Sequence, residues 1–213
     1  MSLVKPRIAL TADLHHFSKD VFGSITGLVR PLVARKKDTL IIACSELGTA
    51  PDSISFGKPE QFLILQHLAA SIPSKSECEI YDGLSCEGLE QLFDKYEFRN
   101  VIICGNLGCG VIPFWLQPAE ERDSDADIGG FRQRFEMGTR KLVDENYFPE
   151  SVAERLELVI FEHVLCQIDN LLSHTFILDR VRTKMTSFYG WVFDDKSARV
   201  YGYDPDESAF RLI

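Results

Sequence analysis

No apolar run in the 213-residue sequence approaches the ~20 residues that a membrane-spanning helix needs, and no charged-then-apolar N-terminal segment with a cleavage site is present. These absences exclude a helical membrane protein and make an intracellular, cytoplasmic chain the expectation. Positive charge is scarce: 23 Lys and Arg stand against 32 Asp and Glu, a net charge of −9. Nucleic acids and anionic membrane surfaces are bound through clustered Lys and Arg, so both partner classes are excluded. Cysteine is sparse too. The six residues Cys44, Cys78, Cys86, Cys104, Cys109 and Cys166 are too few and too scattered for a disulfide framework, and reduced thiols are expected. Neither an internal repeat nor a low-complexity tract occurs.

What is present is apolar content sufficient for one substantial core, 45% of residues, with no need of a disulfide or a partner subunit. One domain over residues 1–213 is expected, with 1–35 as an N-terminal arm and helix and 36–213 as an α/β core. The stretch that organises it is Val101-Ile102-Ile103-Cys104-Gly105-Asn106-Leu107-Gly108-Cys109-Gly110-Val111. A β-branched run that stops at a glycine-punctuated turn and re-emerges as a helix start reads as a central parallel strand delivering a loop. Cys109 then lies near a helix N-terminus, where backbone N–H groups lower a thiol's pKa. Thr39-Leu40-Ile41-Ile42-Ala43-Cys44-Ser45-Glu46-Leu47-Gly48 repeats the arrangement. Open α/β sheets place their sites at such strand ends, so Cys44 and Cys109 are candidate metal ligands. The competing reading makes Cys44, Cys104 and Cys109 small core residues, a common fate of free cysteine.

Elsewhere the spacing predicts a short strand or arm at Arg7–Leu10, a helix over 20–34, a strand at Phe62–Leu65, and helices at 85–96, 111–116, 131–143 and 152–172. Strands follow at 187–194 and 199–204, joined by the turn Asp195-Lys196-Ser197. His15 and His16 read as solvated residues on an exposed arm. The acidic run Glu120–Asp127 lacks the spacing and closing glutamate of a calcium loop and reads as a solvated loop. His163 and Cys166 share a helix face one turn apart, where core packing is the favoured reading over metal.

The two cysteine segments resemble the signatures of the β-class carbonic anhydrases, C-x-D-x-R at one strand end and H-x-x-C-G at another. Here the first reads Cys44-Ser45-Glu46-Leu47-Gly48 and the second Asn106-Leu107-Gly108-Cys109-Gly110. Pro59–Gln66 is similar to the family's strand after the first signature, and Tyr189–Asp194 adds support late in the chain. The resemblance runs from about residue 17 to Phe210. It implies an α/β fold with a central, mostly parallel sheet flanked by helices, a homodimer formed through N-terminal helices, and carbon dioxide or bicarbonate as the small-molecule partner.

The resemblance also implies zinc held by Cys, His and Cys, with a water whose pKa falls towards ~7 and so supplies hydroxide to attack carbon dioxide. The signature Asp accepts that water's hydrogen bond, and the Arg keeps the Asp off the metal. Carried over by position, Cys44 and Cys109 match as ligands. Asn106 stands at the third metal position, and a carboxamide is a poor zinc donor. Glu46 takes the catalytic carboxylate's position, while Gly48 removes the restraining guanidinium and leaves Glu46 free to swing onto a metal. Zinc occupancy is therefore in doubt. The leading expectation is a family member with a degenerate zinc site, little or no hydration activity, and a binding or assembly role. Two alternatives stand beside it: a zinc lyase, a carbonate dehydratase using a rearranged shell of Cys44, Cys109, Glu46 and a distal His, and a thiol redox protein using Cys44 and Cys109.

Overall fold

A buried strand must satisfy its backbone in a sheet and its side chains on both faces, and the apolar runs at 39–44 and 100–106 do both. In the computed structural model, which describes residues 7–9, 14–15, 17–23, 37–47, 61–78, 86–117 and 131–213, they form β2 (Thr39–Cys44) and β4 (Asn100–Asn106), buried almost end to end. With β1 (Arg7–Ala9), β3 (Phe62–His67), β5 (Ser187–Asp194), β6 (Arg199–Asp204) and β7 (Ala209–Leu212) they make one seven-stranded sheet in the order β1-β7-β6-β5-β4-β2-β3. Strands β3, β2, β4 and β5 run parallel. The chain then turns back through β6 and β7, and β1 pairs antiparallel with β7, so the sheet is mixed with an antiparallel edge.

Side chains alternate between the faces. Leu40, Ile42 and Cys44 join the larger core cluster, whereas Ile41 and Ala43 join a smaller one with Ile102, Cys104 and Trp191. Helix α5 (Val152–Leu172) crosses the larger cluster, started by Ser151, whose side chain accepts from the Glu154 N–H. It lies close because β4 and β5 carry glycine beneath it: a Cβ on Gly105 would come within 2.7 Å of Val164 Cγ2. Helices α1 (Cys86–Lys95) and α2 (Val111–Leu116) bury Leu89, Phe93, Ile112 and Trp115 in the same cluster. So do α3 (Phe131–Phe135) and α4 (Lys141–Asn146), which bury Phe135 and Val143 and are joined by a π-helical turn, Glu136–Arg140.

Several expectations change here. The described helices flank the sheet on the side of the larger cluster, and none of them contributes to the smaller one. The helix expected over 20–34 begins instead as a 3₁₀ turn, Lys19–Val21, after which Phe22 bridges Phe188 and Gly23 N–H donates to the Phe188 carbonyl at 3.3 Å. Pairing with the sheet requires extended backbone, which overrides the helical spacing; residues 24–36 lie outside the described residues. Helix α6 (Thr175–Arg182), burying Ile177 and Val181, was not expected from the spacing. The expectation of reduced thiols fails at Cys78, which is disulfide-bonded. Which thiols meet is set by Cα separation in the fold, not by spacing along the chain. His15 is buried, not solvated, and Glu120–Asp127 and His16 lie outside the described residues.

Candidate metal centre

Parallel pairing in register brings β2 and β4 to an end side by side, with Ala43 opposite Cys104. Cys44 is the last residue of β2, and the turn beyond it is fixed by two backbone bonds: Ser45 N–H to the His67 carbonyl at 2.7 Å and Leu47 N–H to the Cys44 carbonyl at 3.1 Å. Beyond β4, Leu107 N–H donates to the Phe193 carbonyl at 2.9 Å, and Cys109 N–H to the Asn106 carbonyl at 3.1 Å. Asn106 is buried, and its side-chain Oδ1 accepts from Gly108 N–H at 2.9 Å. The carboxamide thus shapes the turn that folds Cys109 back over the strand end.

The two thiols meet there, with Cys44 Sγ 3.6 Å from Cys109 Sγ. Two sulfurs bound to one tetrahedral zinc at ~2.3 Å sit a little under ~4 Å apart, so the pair is spaced for a shared ion. Glu46 completes a group in which one ligand atom from each of Cys44, Glu46 and Cys109 lies within 4.8 Å of the others. Two soft thiolates and a carboxylate are a donor set that zinc accepts.

Glu46 is not free to swing, contrary to expectation. Its Oε2 accepts from Gly110 N–H at 2.7 Å and Val111 N–H at 3.1 Å. Backbone amides at the start of α2 therefore hold the carboxylate in place beside the two thiols. A Cβ on Gly110 would stand 3.0 Å from that oxygen, so a side chain there would make the carboxylate give by a few tenths of an ångström. Gly48 lies outside the described residues.

The thiols share one proton unequally. The hydrogen bond from Cys109 stabilises the Cys44 thiolate and, against the opposing effect of burial, lowers its pKa to about 7, helped by the N–H groups of Glu46 and Ala69. Cys109 moves the other way. Its bond to Cys44, its burial and the Cys44 charge all raise its pKa and outweigh the amides of Ile112 and Val111. The lowered thiol expected at the helix N-terminus is thus Cys44, and Cys109 is its donor. Cys104 faces the opposite cluster, where burial pushes its thiol up to about 12, as befits a core residue.

His67, at the end of β3, pairs in register with Cys44, and its Nε2 is shielded from solvent with no hydrogen-bond partner among the described residues. It lies outside the 4.8 Å group. The sequence reading stopped the strand at Leu65, two residues short of it. His163 is buried, as core packing requires, whereas Cys166 is half-buried. His163 Nδ1 lies 2.9 Å from Thr139 Oγ1, and burial holds the ring down to about 4. Both line a cavity of about 500 Å³ between the π-helical turn, α5 and Ser71–Ile72 that includes neither Cys44 nor Cys109.

Comparison with known proteins identifies the family and the fold. The family model described as carbonic anhydrase matches residues 39–200. The chain is similar to a carbonic anhydrase of Helicobacter pylori (strain J99), 25% identical over 201 residues that cover 92% of this chain and 90% of the relative. Among solved structures it resembles the β-carbonic anhydrase CcaA, with a TM-score of 0.73 at 21% identity, covering 84% of this chain and 85% of the other. It also resembles the wild-type β-carbonic anhydrase CafD of Aspergillus fumigatus, with a TM-score of 0.59 at 19% identity, covering 89% and 96%.

Proposed function

Because the chain belongs to the carbonic anhydrase family, as a divergent member of its β class, we propose that it holds zinc through Cys44, Cys109 and Glu46 and hydrates carbon dioxide little or not at all. Its role in this reading is to bind or assemble rather than to turn over substrate. The observation that carries it is the Cys-Glu-Cys group at the strand ends, with its sulfurs 3.6 Å apart. Bound zinc supplies the family with a water acidic enough to yield hydroxide near neutral pH. The residues here work against that. Asn106, in place of the imidazole, directs its carbonyl at Gly108 N–H. Two thiolates and a carboxylate carry three negative charges where two thiolates and an imidazole carry two, and the surplus opposes loss of a proton nearby.

Within this reading the protein is a cytoplasmic homodimer. The dimer is supported by β3, which has β2 as its one partner strand among the described residues and carries half-buried Leu63, Ile64 and Leu65. Carbon dioxide or bicarbonate remains the small-molecule class for the cleft. The thiol redox reading is favoured by one pair of observations, the Sγ separation and the lowered pKa of Cys44.

The test is zinc analysis of protein purified under reductant, followed by stopped-flow carbon dioxide hydration on the same sample. The expected result is about one zinc per chain, as for a single tetrahedral site, with hydration little above the uncatalysed rate. Hydration comparable to ordinary carbonic anhydrases would establish the zinc-lyase alternative. Protein that takes up no zinc but cycles its two thiols would establish the redox one.

A further inference from the structure

We infer that His67 is the imidazole donor of this metal centre, supplied from the neighbouring strand in place of the histidine missing at Asn106. The inference rests on the proposed metal reading and names the ligand that completes it.

Three observations place His67 there. Strands β2 and β3 are parallel and in register, and the last pair of the ladder is Cys44 with His67. Paired residues on adjacent strands lie about 4.8 Å apart across the ladder and direct their side chains to the same face. That face is identified independently. Leu63 and Leu65, at the alternate positions before His67, pack on the cluster that contains Cys44 and Cys109, whereas Ile64 packs on the other. Finally, His67 Nε2 is buried and unpartnered among the described residues. A shielded ring nitrogen without a hydrogen bond costs free energy unless something else satisfies it, and a metal ion does.

The Nε2 now stands outside the group formed by the other three donors. Ligation therefore requires the ring to turn about χ1 and χ2 towards its in-register neighbour. The nitrogen breaks no hydrogen bond among the described residues when it turns. Its strand end is meanwhile held to the Cys44 turn by the Ser45 N–H bond to the His67 carbonyl. The resulting donors, two thiolates, one imidazole and one carboxylate, fill a tetrahedral shell, and a closed shell is the structural rather than the catalytic form of a zinc site. His67 thus accounts for both zinc retention and the low hydration of the proposed function.

The test uses the full-length chain, stripped of metal under reductant and titrated with Co²⁺ as the probe, with zinc affinity then read by competition. Wild-type protein is expected to show thiolate-to-cobalt charge transfer and intense tetrahedral d–d bands. His67→Ala should keep the thiolate bands, lose d–d intensity, and bind zinc more than ~100-fold more weakly, beyond the ~10–100-fold effect of an outer-shell partner. Wild-type binding with an unaltered His67→Ala spectrum and affinity would overturn the assignment of His67 and leave the Cys-Glu-Cys reading standing. Wild-type protein that binds neither cobalt nor zinc would overturn both. If His67→Ala does not fold, zinc-edge X-ray absorption of the wild type decides: imidazole scattering beside two sulfurs supports the assignment, and its absence overturns it.

Discussion

Two clusters of titratable side chains sit on the same side of the sheet and are built in opposite ways. The Cys44–Glu46–Cys109 group stands at strand ends, with an exposed carboxylate and donors that leave room for an ion. The second cluster is closed. His15 Nε2 lies 2.5 Å from Glu162 Oε2, its Nδ1 bonds Asp169, and the Tyr147 hydroxyl donates to Glu162, whose side chain is fully buried. Its groups satisfy one another, and it ties an N-terminal residue to α5 across 147 positions of sequence. The comparison separates a site from a fastening: two thiols and an exposed carboxylate gathered at strand ends can take up an ion, whereas a buried set of charges paired with one another holds elements together.

The largest expected effect is on activity at the first cluster. On the proposed reading the missing imidazole at Asn106 and the altered carboxylate at Glu46 act on different steps, so repairing them should be non-additive. Asn106→His alone should leave hydration low, because Glu46 still holds its place. Adding Glu46→Asp and Gly48→Arg, in a His67→Ala background that keeps the fourth position open, should restore hydration by orders of magnitude, as a neutral donor set does for a bound water. Stopped-flow rates on the zinc-loaded single and combined variants check this, and equal rates for the two would break the account of the carboxylate.

The second cluster should respond in stability and not in metal. His15→Ala leaves the buried Glu162 with Tyr147 as its remaining described donor, and should lower unfolding free energy by about 3–5 kcal/mol with zinc affinity unchanged. The same residue sets a pH dependence. Burial pulls the His15 pKa down, but hydrogen bonds and charge from Asp169 and Glu162 carry it up to about 9. A raised folded-state pKa means stabilisation that is complete below the ordinary value of about 6.5 and lost as pH rises through 9. Thermal melts from pH 6 to 10 should show Tm falling over that window in the wild type and much less in His15→Ala. A parallel fall in both would assign the dependence elsewhere.

How far these clusters were legible in the sequence follows from the same difference. The strand ends were read correctly at Cys44 and Cys109 because each lies within one local pattern, an apolar run followed by a turn. The hairpin of β5 and β6 and the long helix α5 were legible for the same reason. The partners of Glu46 were not, since the amides of Gly110 and Val111 lie 64 and 65 residues away. Nor was the burial of His15, although Glu162 interrupting the apolar stripe Ile160, Phe161, Val164 and Leu165 was its available sign. A charge inside such a stripe needs a partner, and spacing alone does not say which.

The smallest expected change concerns the thiols. In metal-free protein a modest adjustment separates the 3.6 Å Sγ contact from the ~2.05 Å of a disulfide. Mild oxidation should join Cys44 and Cys109 and so remove two of the titratable thiols that the described residues carry at Cys44, Cys104, Cys109 and Cys166. Bound zinc should block the loss. No loss of titratable thiol on oxidation of the metal-free protein would contradict the expected closeness of the pair.

The central claim is that Glu46, held at the start of α2, serves the metal as a ligand. A crystal structure of the zinc-loaded protein, with the ion located by anomalous scattering at the zinc edge, tests it most directly. The account predicts zinc bridging Cys44 Sγ and Cys109 Sγ with a Glu46 oxygen at roughly 2.0–2.2 Å. Zinc on the two thiolates with Glu46 beyond bonding distance and a water in its place would contradict it.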